Sequence, residues 1–481
     1  MRTVFITALS MILCAATSLG AEGPLVWPRF RGPNGSGVAD MQKPPVEFGP
    51  DKNVKWKVPV PPGISSPIVA GDLLVVTAFD GGKLFTIAYR RADGSEAWRA
   101  EAPAEKIETY HQVEGSPAAS TPATDGQRIV SYFGSCGLFA YDLSGGELWR
   151  FEMPTVVTGG DFGTGVSPIL ADGLAVLVRD EIKDSKTASR IVALDAATGK
   201  LQWEQQRTSP VSWCTPVVWH TAAGTQVVSG GHARMIGYDL RSGEERWSFT
   251  GLPSGCCASP VVVDGTLYFA GSSSGGDEAQ AMPSFDSLLK NLDKDQDGAI
   301  SKAEGGEAFQ GFFDNQDTNK DGILTREEYE AIMKMWSAGK DGAFALKSGG
   351  SGDITTSHVL WKKSKGLPYV ASAILYRGQY VMVRDGGIII ANDAETGEQV
   401  YQTRVAAGGR YYASPVAANG NLYFTALEGG AVTVLKAGEQ KAVVVAKNPE
   451  FGERCAATPA IADDTLYLRT ATHLYAFAEE K

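Results

Sequence analysis

Short runs of apolar and polar residues, cut at near-regular intervals by glycine-bearing turns, fill most of the chain. Eight copies of one pattern can be aligned: "SSPIVAGDLLVV", "STPATDGQRIVSYF", "VSPILADGLAVLV", "CTPVVWHTAAGTQVV", "ASPVVVDGTLYFA", "ASAILYRGQYVMV", "ASPVAANGNLYFT" and "ATPAIADDTLYLR". Each is a small residue, a proline (alanine in the sixth), an apolar run, a turn and a second apolar run. Alternation bounded by turn residues is the signature of half-buried β-strands. The reference positions are Pro67, Pro122, Pro168, Pro216, Pro260, Ala373, Pro415 and Pro459, spaced 55, 46, 48, 44, 113, 42 and 44 residues apart. One interval is anomalous, and removing a block of about 70 residues brings it into line with the repeat unit of about 45.

A second element follows five of these copies. "YDLSGGELW" (141–149), "LDAATGKLQW" (194–203), "YDLRSGEERW" (238–247) and "NDAETGEQVY" (392–401) share an Asp, a Gly and then an aromatic, with a weaker copy in "RADGSEAW" (91–98). The Asp can cap a turn, the Gly accepts positive φ, and the flanks are β-formers, so each reads as a hairpin. The aromatic on the outgoing strand is suited to packing against the next unit. Eight four-strand units predict an all-β, eight-bladed β-propeller. The last copy ends at "THLYAFAEEK" without an outer strand, while "NVKWKVPV" (53–60) precedes the first copy. Residues 53–60 are therefore expected to complete the eighth blade and close the ring, leaving no open edge.

These hairpins resemble the pyrroloquinoline-quinone (PQQ) repeat of quinoprotein dehydrogenases, and the blade count resembles BamB, the propeller of outer-membrane barrel assembly. "WPRFRGPNGSG" (27–37), "FGSCGLFAYDLSGGELW" (133–149) and "SGGSGDITTSHVLWK" (348–362) look like exported BamB-like PQQ-repeat proteins of planctomycete type. The resemblance spans nearly the whole mature chain and is specific for fold. It implies much less about activity, because one scaffold hosts many functions.

The anomalous interval holds "NLDKDQDGAISKAE" (291–304). Against the twelve-position calcium-loop template, Asp293, Asp295 and Asp297 fall at positions 1, 3 and 5 and Gly298 at 6. The Ala299 carbonyl, Ser301 and Glu304 fill positions 7, 9 and 12. "DTNKDGILTREE" repeats the match with Asp317, Asn319, Asp321, Gly322, the Ile323 carbonyl, Thr325 and Glu328, and Ile300 and Leu324 stand at the positions that pair two loops. Oxygen ligands in this number suit Ca²⁺ better than Mg²⁺. The flanks "FDSLLKNL" and "EEYEAIMKMW" show helical spacing. The block resembles an EF-hand pair holding two Ca²⁺, inserted in the fifth blade, with connecting helices so short that a structural or buffering role is expected.

The expected organisation is a signal peptide over 1–21, an N-terminal extension over 22–52, propeller over 53–275 and 342–481, and the insert over 276–341. The signal reading rests on Arg2, an apolar run over 4–19 and small residues near Gly20–Ala21. Cys14 lacks a lipobox, and the apolar run is too short for a stable span. An exported chain, periplasmic or extracellular and monomeric, follows. The net charge of −11 excludes nucleic acid as a natural partner, and −6 of it lies between Asp286 and Lys334.

Five cysteines remain after cleavage, an odd number, so a bridge across blades and free thiols are both open. The adjacent Cys256 and Cys257 could form a vicinal disulfide platform for PQQ, as the quinoprotein resemblance implies. Alternatively they are small residues facing a crowded channel, as their repeat-equivalents Cys214 and Cys455 suggest. His111, Asp161, Arg179, Asp180, Glu181, His232, Arg234, Arg384, Asp385 and Arg410 are polar candidates, read mainly as salt-bridged rim residues. No zinc spacing, hydrolase elbow or phosphate loop occurs. The expected function is a calcium-binding scaffold for a protein, peptide or glycan. The alternatives are a PQQ-dependent oxidoreductase and a BamB-like assembly factor.

Overall fold

A computed structural model describes residues 26–183, 186–273, 283–306, 313, 316–317, 319–404 and 406–479. The signal-peptide residues and 276–282 lie outside the described residues.

Eight sheets of four antiparallel strands, one of them extended by a fifth strand, form the blades of a propeller. Blade one runs through Ile68–Ala70, Leu73–Asp80, Lys83–Arg90 and Glu96–Ala102, and the other blades repeat the order inner to outer. The ring closes through Val54–Pro59, which pairs antiparallel with His473–Phe477 as the outer strand of blade eight.

Two devices join neighbouring blades. The first uses the hairpin aromatic. The indole N–H groups of Trp56, Trp98, Trp149, Trp203 and Trp361 donate to the carbonyls of Arg91, Leu143, Ala196, Leu240 and Ala394 in the next blade, at 2.8–3.0 Å. Each indole lies over a turn glycine of that blade: Gly94, Gly145, Gly199, Gly243 or Gly397. A Cβ there would come within 2.4–2.7 Å of the ring. The glycine thus serves both a positive φ and a close approach. Trp247 is the exception, donating to Gln226 of its own blade. Blade five has no Asp–Gly hairpin after it; instead Gly352–Asp353 pairs parallel with blade four as a fifth strand.

The second device is a hydrogen-bonded belt at the residue preceding each reference position. The amide N–H of one blade donates to the hydroxyl of the next: Ser66 to Thr121, Thr121 to Ser167, Ser167 to Thr215, Ser259 to Ser372, Ser372 to Ser414, Ser414 to Thr458 and Thr458 to Ser66, all at 2.9–3.0 Å. The small residue of the repeat is therefore a hydroxyl for a reason: it satisfies a buried amide on the neighbouring blade. Among the described residues the belt is interrupted between blades four and five, where the Ser259 hydroxyl has no partner. There the Trp213 amide donates to the Cys256 carbonyl instead, at 2.9 Å.

The N-terminal extension is not a free tail. From Trp27 to Ala39 it lies along the inner strands, exchanging backbone hydrogen bonds with Val69, Thr124 and Ala417, while Asn34 brackets both backbone groups of Val218. Arg31, fully buried, donates to the Ala373 carbonyl. The segment "WPRFRGPNGSG" therefore runs across the inner-strand edges of several blades and borders, with blades two, three and four, a cavity of about 460 Å³.

Candidate metal centre and channel mouth

The insert leaves blade five after Thr266–Gly271 and rejoins it at Gly342–Lys347. Helix Phe285–Leu292 starts at Ser284, whose hydroxyl caps the Ser287 amide at 3.2 Å. Its apolar face meets Ile300, Phe313, Leu324 and Tyr329, the last from helix Arg326–Ser337, and forms a core separate from the blades. Ile300 pairs with Leu324 and Ser301 with Ile323 in a two-residue antiparallel ladder that joins the loops.

The loops share most of their bonds. In the first, Asp293 accepts from the amides of Gln296 (2.7 Å) and Gly298 (3.1 Å), and Asp297 accepts from Ala299 (2.8 Å). In the second, Asp317 accepts from Gly322 (2.9 Å) and Asp321 from Ile323 (2.9 Å). At the closing position, Glu304 accepts from the Ser301 amide (2.8 Å) and the Lys294 amide (2.8 Å), while Glu328 accepts from Thr325 (3.1 Å) and Asn319 (3.3 Å). The Ser301 amide and hydroxyl and the Lys294 amide hold the Glu304 carboxyl well down, at about 2. Left-handed backbone recurs at the fourth and sixth positions, Gln296 and Gly298 in one loop and Lys320 and Gly322 in the other.

The donor set fits a hard cation. Ligand oxygens of Asp293, Asp295 and Asp297 lie within 4.8 Å of one another. Asp317 is buried, and its Oδ1 has no partner among the described residues, an arrangement that costs free energy unless a donor or cation meets it.

The insert is fastened to the face of the propeller where the blade-to-blade connections converge. Lys320, inside the second loop, pairs with Asp161 at 3.1 Å. The amides of Gly339 and Lys340 donate to the Ser254 hydroxyl (2.7 Å) and the Leu252 carbonyl (2.8 Å). Asp161 adjoins Phe162, which stacks on His111 and meets Trp213 edge-on.

The loop between blades one and two crosses this mouth. Besides the His111–Phe162 stack, Glu114 pairs with Arg410 at 3.4 Å, and the Val113 carbonyl accepts from Arg454. The described cysteines are all free thiols. Cys256 is fully buried against Cys214, whose hydrogen bond together with burial raises its pKa. Cys257 is pushed up to about 12, chiefly by burial. A planar quinone needs an open slot and a flat platform. The vicinal disulfide platform that the quinoprotein resemblance implies is not formed: Cys256 and Cys257 are free thiols, the first fully buried and the second half-buried.

The remaining candidates scatter. Arg179, Asp180 and Glu181 do not lie on the rim: they are buried, with Arg179 on Glu181 and Asp180 on Arg207, both at 2.7 Å. Arg179 ends the fully buried strand Leu174–Arg179 and the next two residues continue in the interior, so they form buried ion pairs. Asp385 accepts from the Tyr411 amide and is raised by burial; His232 bonds the Ser254 carbonyl, and Arg234 pairs with Glu245 on the surface. Arg384 also has an interaction partner. Sequence reasoning missed Glu108, which burial pushes up to about 8, and Arg207, Arg454 and Arg469. Each sits in a connecting loop or at a strand end, where no repeat marks it.

Fold and insert together define an eight-bladed PQQ-repeat propeller with a helical module seated beside its mouth. The chain belongs to the family described as outer membrane protein assembly factor BamB, which matches residues 86–282 and 350–481 and skips most of the insert. No curated protein matches it. Among solved structures, BamB from Moraxella catarrhalis is 12% identical with a TM-score of 0.53, covering 88% of this chain and 98% of its own. Quinohemoprotein alcohol dehydrogenase from Comamonas testosteroni is 10% identical with a TM-score of 0.56, covering 95% and 81%. A europium-containing methanol dehydrogenase is 10% identical with a TM-score of 0.54, covering 93% and 96%. At these identities the likeness concerns the fold alone.

Proposed function

We propose that this chain is an exported, calcium-binding propeller that acts as a scaffold for a protein, peptide or glycan partner, with two Ca²⁺ held by an EF-hand pair. The observation that carries the reading is the paired loops, in which every template position is filled and most of the backbone bonds recur in both. Protein is the favoured partner class, because the family is described by its part in assembling outer-membrane proteins. The N-terminal apolar run supports export. No helix among the described residues is long and apolar enough to cross a membrane.

Bound Ca²⁺ supplies neutralisation of the clustered carboxylates and ties each loop's two ends together. The protein's own residues do the rest: Glu304 and Glu328 close the loops from the helical side, and Lys320 links the second loop to the mouth. Calorimetric titration of the chelator-treated mature protein tests this. Two ions bound below about 1 mM are expected, with one site lost in Glu304→Gln and the other in Glu328→Gln. Binding unaffected by both substitutions overturns the assignment.

A further inference from the structure

On the mouth face, between blades eight and one, a half-open pocket of about 220 Å³ is walled by Pro62, Ile64, Phe79 and Tyr110 and bordered by Arg454 and Arg469. We propose that it takes a carboxylate carried on an apolar stem, either a free acid or the C-terminus of a peptide; in the peptide form this deepens the scaffold reading above.

Three observations support the assignment. Neither guanidinium has a carboxylate partner among the described residues: Arg469 donates to the carbonyls of Pro61, Ser65 and Thr77, and Arg454 donates to the Val113 carbonyl and lies over the Tyr412 ring. Nitrogens remain without partners on both, Nε of Arg469 and Nε and Nη2 of Arg454. And Arg469 is 1% exposed, so its charge is held in a poorly screened setting where an anion is attracted strongly. A chain of net −11 thus keeps two uncompensated cations at one place.

The walls choose among anions. Phe79, Ile64 and Pro62 give an apolar surface that favours an apolar stem, whereas a phosphate dianion would bring a second charge into it at a further desolvation cost. The volume is below the ~300–1,000 Å³ of drug-sized sites, so the pocket accommodates a fragment the size of one residue. Guanidinium–carboxylate pairing then supplies the directional contact.

The test uses the calcium-loaded mature protein and three probes: phenylacetate, the peptide Ala-Ala-Phe with a free C-terminus, and the same peptide amidated. Both acids should bind saturably. The amide should bind at least about tenfold more weakly, the loss expected when a charge-assisted hydrogen bond goes. Arg454→Gln should lose as much for the acids and keep the wild-type melting temperature and both Ca²⁺ sites. Arg469→Lys serves as a second variant that retains the charge. A peptide acid tighter than phenylacetate assigns the pocket to peptide ends; equal binding assigns it to free acids. Equal binding of acid and amide, or no saturable binding of either acid, overturns the proposal. If that failure comes with two Ca²⁺ still bound, the pocket is lost while the scaffold reading stands.

Discussion

Gly199→Ala tests the blade-joining device where its two parts can be separated. Gly199 has φ +70°, and a Cβ there meets Trp149 Cδ2 at 2.7 Å. The left-handed backbone alone costs alanine about 1–2 kcal/mol. Trp149 cannot move aside freely: it is 7% exposed and pinned by its indole N–H to the Ala196 carbonyl at 2.9 Å. Forcing a methyl against such a ring adds about 1–3 kcal/mol, for a total of about 2–5 kcal/mol. Gly71→Ala is the control, because Gly71 has φ +58° with nothing within 4 Å of its Cβ; it should cost only the ~1–2 kcal/mol of backbone strain. Urea unfolding followed by tryptophan fluorescence reads both as shifts in midpoint. Equal midpoints for the two variants would refute the claim that the glycine is there to seat the neighbouring tryptophan.

The belt gives a second contrast: Thr121→Val leaves the Ser66 amide without its acceptor and should cost about 1–3 kcal/mol, while Ser259→Ala, which removes a hydroxyl with no partner, should shift the urea midpoint little. Glu108 gives a pH dependence. Burial pushes its carboxyl up to about 8, from about 4.3 in an unfolded chain, so the folded protein holds a proton that the unfolded chain releases. That contribution is fully present below about pH 4 and is lost as pH rises through about 8. Glu108→Gln should flatten the fall of melting temperature between about pH 5 and 8.5 and leave the protein more stable than wild type at the alkaline end.

The propeller was legible in the sequence because each blade repeats the same local chemistry, an apolar run, a turn and an aromatic at a fixed offset from a glycine. The paired acidic loops were legible for the same reason, with residue type and spacing both local. What stayed hidden was the meaning of residues whose partners lie far away in the chain. The Ser or Thr before each reference position reads as merely small until the next blade's amide is seen donating to it. Arg179, Asp180 and Glu181 read as rim residues because charge suggests exposure, whereas Arg207, only a strand away, lets Asp180 go inside. Trp27–Gly37 carries no periodicity that marks its place along the inner strands; its hydrogen bonds go to blades one, two, four, six and seven. Arg454 and Arg469 meet only because blade eight closes on blade one.

Native mass spectrometry of the mature protein, with Ca²⁺ and PQQ both added, tests the account most directly. It should show two Ca²⁺ per chain, one fewer in each of Glu304→Gln and Glu328→Gln, and no PQQ adduct. A chain that carries PQQ and no Ca²⁺ in the insert would contradict both the metal assignment and the scaffold reading.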